Sequence, residues 1–403
     1  MTTVPTGPRI KEIDGLRAIA ILSVVAWHYI GASADAGSGS LLWRATIFGR
    51  SGVDLFFVLS GYLITSILLS NRDASNYFST FYARRAFRIL PIYYVVVAIY
   101  VLGKSFNLSA ALFDGSIPTW TYLVGLQNFW MTSERTYGAF WLGGTWSLAI
   151  EEQFYLLFPM LVSLLSLRRL RLVLLGLMIA CPLLRIWAYW YGEPFAGYGY
   201  YFLTPFRADN LAVGALVAWH ELTGTSRRVA LIARRTLIAS AVLFPVYAAL
   251  IGRHTDMHMA LWGHTYLALL YGSLLFMTLQ NKGAGQLAWL RGKAAAFFAR
   301  ISYALYLVHT SVLLALSIVS GVSRDVSTWS GRLLAVSAFA LSVGLCWLSF
   351  RLLEQRLIGF AHRRFTYLTG SRPRHAVQRI NDAGIATTSV ATNSPATREN
   401  STT

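Results

Sequence analysis

Residues 12–28 read Glu12-Ile13-Asp14-Gly15-Leu16-Arg17-Ala18-Ile19-Ala20-Ile21-Leu22-Ser23-Val24-Val25-Ala26-Trp27-His28. The apolar run continues to Ile30 and has the length of a membrane span, which needs about 20 mostly apolar residues. Asp14, Arg17 and His28 interrupt it. Ionisable groups inside a span are costly and are functional candidates by default. At about 100° per residue, the step from Arg17 to His28 is close to three full turns. Both then share one helix face, roughly 16 Å apart along the axis. Asp14 stands one turn before Arg17 and can pair with it. The same spacing also suits a structural His and an Arg that only anchors the cytoplasmic end.

The rest of the chain agrees with a membrane setting. It has 403 residues, 55% hydrophobic and 13% charged, with 13 Trp, 21 Tyr and 23 Phe. An average soluble domain is about 25% charged. The net charge of +18 would suggest nucleic acid in a soluble chain, but so apolar a composition argues against a nucleic-acid binder and against disorder. Cys181 and Cys346 lie in apolar runs and read as packing residues. The expected fold is all-α, a polytopic membrane helix bundle with about ten spans near 15–33, 53–70, 88–104, 147–167, 172–191, 209–223, 237–252, 260–280, 301–320 and 331–350. The short aromatic stretch 118–131 is expected to be interfacial or re-entrant.

Charge placement supports the count. With the N-terminus inside, 26 of the 35 Lys and Arg fall on the cytoplasmic side, so every second loop is basic. Both termini are expected in the cytoplasm. Residues 1–34 resemble a cleaved leader ending Ala32-Ser33-Ala34, but a leader has no use for Asp14 and His28. Residues 1–355 are expected to form the membrane domain. Residues 356–403 are expected to form a basic cytoplasmic tail, largely disordered from about 371.

Polar residues within the other spans carry the remaining information. Asp54 follows Gly52 and precedes Gly61, small residues that let helices approach closely. Arg84, Arg85 and Arg88 precede the third span. Arg85 and Arg88 share a face, and Arg forks suit phosphate, although a positive-inside anchor would look the same. Ser147, Glu151 and Tyr155 fall on one face at i, i+4 and i+8, while Glu152 points about 100° away. Either carboxylate can orient a His, take a proton or pair with a loop Arg. Arg207 can meet an acidic or sugar-like acceptor or pair with Asp209. Ser302, Tyr306 and His309 share a face, and His309 reads more readily as a satisfied bundle residue than as a catalyst. No GxSxG elbow, P-loop, HExxH or metal cluster is visible.

Taken in order, these blocks carry more than any one of them. Ile13-Asp14-Gly15-Leu16-Arg17 with His28, Gly52-Val53-Asp54-Leu55-Phe56-Phe57, Arg85-Ala86-Phe87-Arg88, Trp146-Ser147-Leu148 with Glu151, and Ile301-Ser302-Tyr303 with His309 resemble the acyltransferase-3 family of bacterial integral membrane O-acyltransferases. The resemblance implies transfer of an acyl group, usually acetyl, from cytoplasmic acyl-CoA to a hydroxyl. Implied acceptors are surface polysaccharide, O-antigen or lipo-oligosaccharide, with macrolides as an alternative. It places the family's basic residue and His on Arg17 and His28, and its Arg-x-x-Arg on Arg85 and Arg88. Acyl-CoA is a co-substrate in this reading, and no bound cofactor or metal is expected. The expected catalytic group is His28, Glu151 and Arg17, with His28 either general base or transient acyl carrier and Glu151 as its orienting or proton-accepting partner. Arg84, Arg85 and Arg88 would hold acyl-CoA. Asp14, Asp54, Ser147, Arg207, Tyr306 and His309 would be structural or acceptor-side. Expected surroundings are membrane lipid of the bacterial inner membrane, a carbohydrate acceptor and a separate glycan-synthesis or periplasmic partner. A proton-coupled glycan transporter is the competing class; intramembrane His, Arg and Glu would suit it.

Overall fold

The computed structural model describes residues 10–32, 46–191, 199–251 and 255–368. Ser33 and Ala34 of the leader-like motif and the tail from 371 onward lie outside the described residues. Among the described residues the regular structure is all helical, joined by turns and short irregular segments, with no strand. The principal helices are α1 (Lys11–Ala26), α2 (Gly52–Ser70), α3 (Tyr77–Ser105), α4 (Trp146–Leu164), α5 (Leu167–Tyr191), α6 (Thr204–Thr223), α7 (Arg227–Ile251), α8 (His264–Gln280), α9 (Lys293–Ser320), α10 (Trp329–Ser349) and α11 (Gln355–Arg364).

Nine segments among the described residues are long and apolar enough to cross a membrane. They match nine of the ten expected spans. The exception is α6, which corresponds to the span expected at 209–223. It has 20 residues, about 30 Å of helix, but Arg207, Asp209, His220 and Glu221 keep it from being apolar. It lies at the centre of the bundle, against α2, α5 and α8, with every residue from Phe206 to Ala218 except Ala208 buried. Its polar groups therefore face protein. By contrast α7 packs mainly on α8 and exposes Ile232, Ile238, Val242 and Val246, an apolar surface suited to lipid.

The region 118–131 is not one span. Thr119–Val124 and Gln127–Ser133 are separate short helices, broken at Gly125, whose φ of +72° favours glycine. Trp120, Leu123, Val124 and Phe129 are exposed while Tyr122, Gln127 and Asn128 are buried. That two-faced pattern fits an interfacial segment.

Small residues set the tightest crossing. A Cβ on Gly61 would come within 2.0 Å of the Leu211 carbonyl oxygen, and one on Gly214 within 1.9 Å of the Val58 carbonyl oxygen. Helices α2 and α6 thus touch backbone to backbone. Gly52 lies as closely against α1, its Cβ position 2.4 Å from Ala20 O. Gly61→Val is expected to lower stability by about 1–3 kcal/mol or more, because backbone cannot yield as side chains do. Thermal unfolding in detergent measures this, and an unchanged midpoint would contradict the crossing.

Candidate active site

Three arginines and one carboxylate line a cleft between α1, α2, α3, α4 and α9. It holds about 830 Å³ of space not filled by protein, open solvent included, and is partly open. Arg17, Arg85, Arg88 and Glu151 supply its charged lining, and Ser60, Ser147, Tyr155, Ser302, Tyr303 and Tyr306 its hydroxyls. Phe56, Leu59, Leu63 and Leu148 supply apolar wall. Three guanidinium groups against one carboxylate give the lining an excess of positive charge. Such a cleft suits a ligand that is anionic at one part and apolar at another.

Each charged group is held from behind. Arg17 donates through Nη2 to Ser302 Oγ at 3.1 Å and lies in the field of Asp14, one turn earlier. The Arg85 guanidinium sits 4.9 Å over the Tyr155 ring. Buried Glu354, at the start of α11, acts on Arg88 electrostatically. Glu151 accepts Ser60 Oγ at 2.7 Å and the Tyr155 hydroxyl at 3.0 Å. The Ser147 and Tyr306 hydroxyls meet at 2.6 Å. The shared face of Ser147, Glu151 and Tyr155 is thus observed, while Glu152 is absent from the cleft lining.

Two placements around the cleft differ from expectation. Arg84 donates Nε to Phe365 O at 2.7 Å and lies over the Tyr367 ring. One residue before Arg85, it is turned about 100° away and ties α3 to the segment after α11, so it does not line the cleft. Glu151 is not the hydrogen-bond partner of His28. Its oxygens are taken up by Ser60 and Tyr155, whereas His28 meets His309.

That histidine pair lies beyond the cleft on α1 and α9. Helix α1 changes at Trp27 into a π-turn, Trp27–Gly31, closed by Ala32 N to Trp27 O at 2.8 Å. Such turns shift the helical phase and are frequent at functional sites. His28 Nδ1 lies 2.9 Å from Val24 O and 3.1 Å from His309 Nε2. His309 is joined to the cleft through Tyr306, whose carbonyl lies 2.9 Å from His309 Nδ1. His28 stays partly exposed, and His309 is buried.

A second polar cluster is closed off inside the bundle. Arg207 donates to Asp54 Oδ1 at 2.7 Å, and Asn210 Nδ2 to the same oxygen at 2.8 Å. His264 Nδ1 lies 3.2 Å from that oxygen, and its Nε2 is 3.1 Å from Arg207 Nη1. The rings of Phe57, Trp146 and Tyr201 surround the guanidinium. Arg207 therefore pairs with Asp54 and not with Asp209, and it is fully buried outside the cleft lining. Asp209 belongs to Arg185 at 2.7 Å, and Arg185 also donates to Ala260 O, Phe206 O and Thr265 Oγ1. The reach of Asp54 to another helix is as expected. The roles of Arg185 and His264 were not read from the sequence, although both stand as ionisable residues within apolar segments, the signal that singled out His28.

Comparison with known proteins follows the same lines. A family model of acyltransferase-3 type, described as an acyltransferase domain, matches residues 10–351. The peptidoglycan O-acetyltransferase OatA of Listeria monocytogenes is 35% identical over 161 residues, 37% of this chain and 24% of that protein. YrhL of Bacillus subtilis, provisionally named a peptidoglycan O-acetyltransferase, is 36% identical over 162 residues, 38% and 23% of the two chains. A provisionally named O-acetyltransferase of Staphylococcus aureus strain COL is 36% identical over 168 residues, 38% and 24%. The chain spans about a quarter of the length of these relatives. No solved structure matches it. With the family model covering most of its length, the chain belongs to the acyltransferase-3 family.

Proposed function

We propose that the protein is a multi-pass enzyme of the bacterial inner membrane that moves an acetyl-type acyl group from cytoplasmic acyl-CoA to a hydroxyl of a surface carbohydrate. Both termini are cytoplasmic in this reading. The carrying observation is the cleft with Arg17, Arg85 and Arg88, joined through Tyr306 to the His28–His309 pair. Acyl-CoA has phosphates for guanidinium groups and a slender pantetheine arm whose amides can meet the cleft hydroxyls and whose methyl and methylene groups can meet the apolar wall. Peptidoglycan, for which two relatives are named, is one carbohydrate of the right chemistry, and other surface glycans share its hydroxyls.

His28 accepts the proton of the acceptor hydroxyl as that oxygen attacks the thioester carbonyl. Arg17 lies at the inner end of the same helix and steadies the donor. Glu151 shapes the cleft through Ser60 and Tyr155.

Purified protein incubated with labelled acetyl-CoA and glycan acceptors is expected to give O-acetylated product. Vesicles that show glycan flux with neither transfer nor thioester hydrolysis would overturn the reading in favour of a carrier. Arg85→Ala and Arg88→Ala are each expected to raise the KM for acetyl-CoA by about 10- to 100-fold, the size of one charged hydrogen bond. Arg84→Ala is expected to leave that KM unchanged. Equal effects at all three positions would remove the phosphate role.

A further inference from the structure

We propose that His309 is a positioning residue, holding His28 in the tautomer whose Nε2 is a bare lone pair and accepting its Nδ1–H while His28 is charged. This rests on the reading of His28 as the base.

The hydrogen positions follow from groups that can only accept. His309 Nδ1 lies 2.9 Å from both Leu305 O and Tyr306 O. A carbonyl has no proton to give, so His309 Nδ1 carries the hydrogen. A neutral imidazole has one N–H, so His309 Nε2 is bare. It faces His28 Nδ1 at 3.1 Å. His28 Nδ1 is also 2.9 Å from Val24 O, again an acceptor only. The His28 hydrogen is therefore on Nδ1, shared between Val24 O and His309 Nε2. His28 Nε2 is left bare, and no hydrogen bond from a described residue engages it.

The pair takes one further proton, and only at His28. A doubly protonated His309 would set N–H against N–H across 3.1 Å. His309 is also fixed in place. Its carbonyl accepts the Tyr29 hydroxyl at 2.8 Å, and that hydroxyl meets Ser342 Oγ at 3.0 Å. The Tyr29 ring stacks on it at 6.2 Å, and His28 meets it edge-on at 4.9 Å. In a Ser-His-Asp triad a carboxylate orients the base. Here a neutral imidazole occupies that place, avoiding a buried charge in the resting state.

In the reaction, the acceptor hydroxyl passes its proton to His28 Nε2. Its oxygen bonds to the thioester carbonyl carbon, and the carbon–sulfur bond breaks. The departing thiolate takes the proton from His28 Nε2 and leaves as the free thiol. While His28 is a cation, its Nδ1–H to His309 is a charge-assisted bond.

His309→Phe is expected to lower kcat for acetyl transfer by roughly 10- to 100-fold with the KM for acetyl-CoA unchanged. His309→Gln, whose amide oxygen can accept the same hydrogen, is expected to recover most of the loss. On a His28→Ala background, His309→Phe is expected to add nothing. Selective 15N-histidine NMR of the wild-type protein is expected to show His28 Nε2 unprotonated. Wild-type kcat in His309→Phe, no recovery in a folded His309→Gln, or a protonated Nε2 would each overturn the proposal. Full activity in His28→Ala alone would instead remove His28 as base, leaving the NMR tautomer result standing.

Discussion

His28→Ala is expected to abolish acyl transfer while leaving a folded protein in the membrane. A positioned general base contributes about 10²–10⁴ in rate, and no other described histidine is placed to replace it. His309 has its Nδ1 bound to two carbonyls, and His264 is enclosed with Asp54 and Arg207. The side chain of His28 is partly exposed, and its removal costs one bond to Val24 and one to His309, so thermal stability should change little. Initial rates with labelled acetyl-CoA, paired with a thermal melt of the same preparation, check both halves. Transfer at the wild-type rate would remove His28 from the chemistry. Loss of rate together with loss of folded protein would recast it as structural.

The second large effect is on stability. Removing one member of a buried ion pair costs about 3–5 kcal/mol because the other charge is left without compensation. Asp54 accepts from Arg207 and Asn210 and meets His264, so Asp54→Ala leaves three buried polar groups without their acceptor. Against a total stability of about 5–15 kcal/mol, this change is expected to prevent accumulation of folded protein or to lower its thermal midpoint steeply. Asp54→Leu combined with Arg207→Met is expected to cost less than the sum of the single changes, since neither charge then remains unpaired. Simple additivity would show that the two residues are not coupled.

Much of the fold was legible because each apolar run reports its own length and each helix face its own period. Nine of the expected spans are helices apolar enough to cross a membrane, and Ser147, Glu151 and Tyr155 share a face as their spacing requires. The spacing also put Arg17, Arg85, Arg88 and Tyr306 among residues of interest, and all four line one cleft. What periodicity does not report is which helix stands opposite. Glu151 could not be told from His309 as the neighbour of His28, nor Arg185 from Arg207 as the partner of Asp209. Those pairings depend on crossings set by Gly61 and Gly214, and on the π-turn at Trp27, which changes helical phase without a Pro or Gly pair to announce it. Arg84 was grouped with Arg85 by adjacency, although adjacency on a helix means divergence.

Helix α6 bears on how the protein is made. Arg and Asp each oppose insertion of a nascent segment, by about 2.5–3.5 kcal/mol at its centre and by less towards its ends, and α6 carries Arg207 and Asp209 in its first two turns. Emerging alone from the ribosome, it has no reason to leave the translocation channel for lipid. Its polar partners are made at different times: the counter-charge Asp54 long before it, the counter-charge Arg185 shortly before, and His264, which meets Arg207, only afterwards. As a tenth span α6 would depend on tertiary contacts, which α2, α5 and α8 supply. A topology drawn from hydropathy alone omits this helix, and whether α6 is counted decides the side of the membrane assigned to every loop after it.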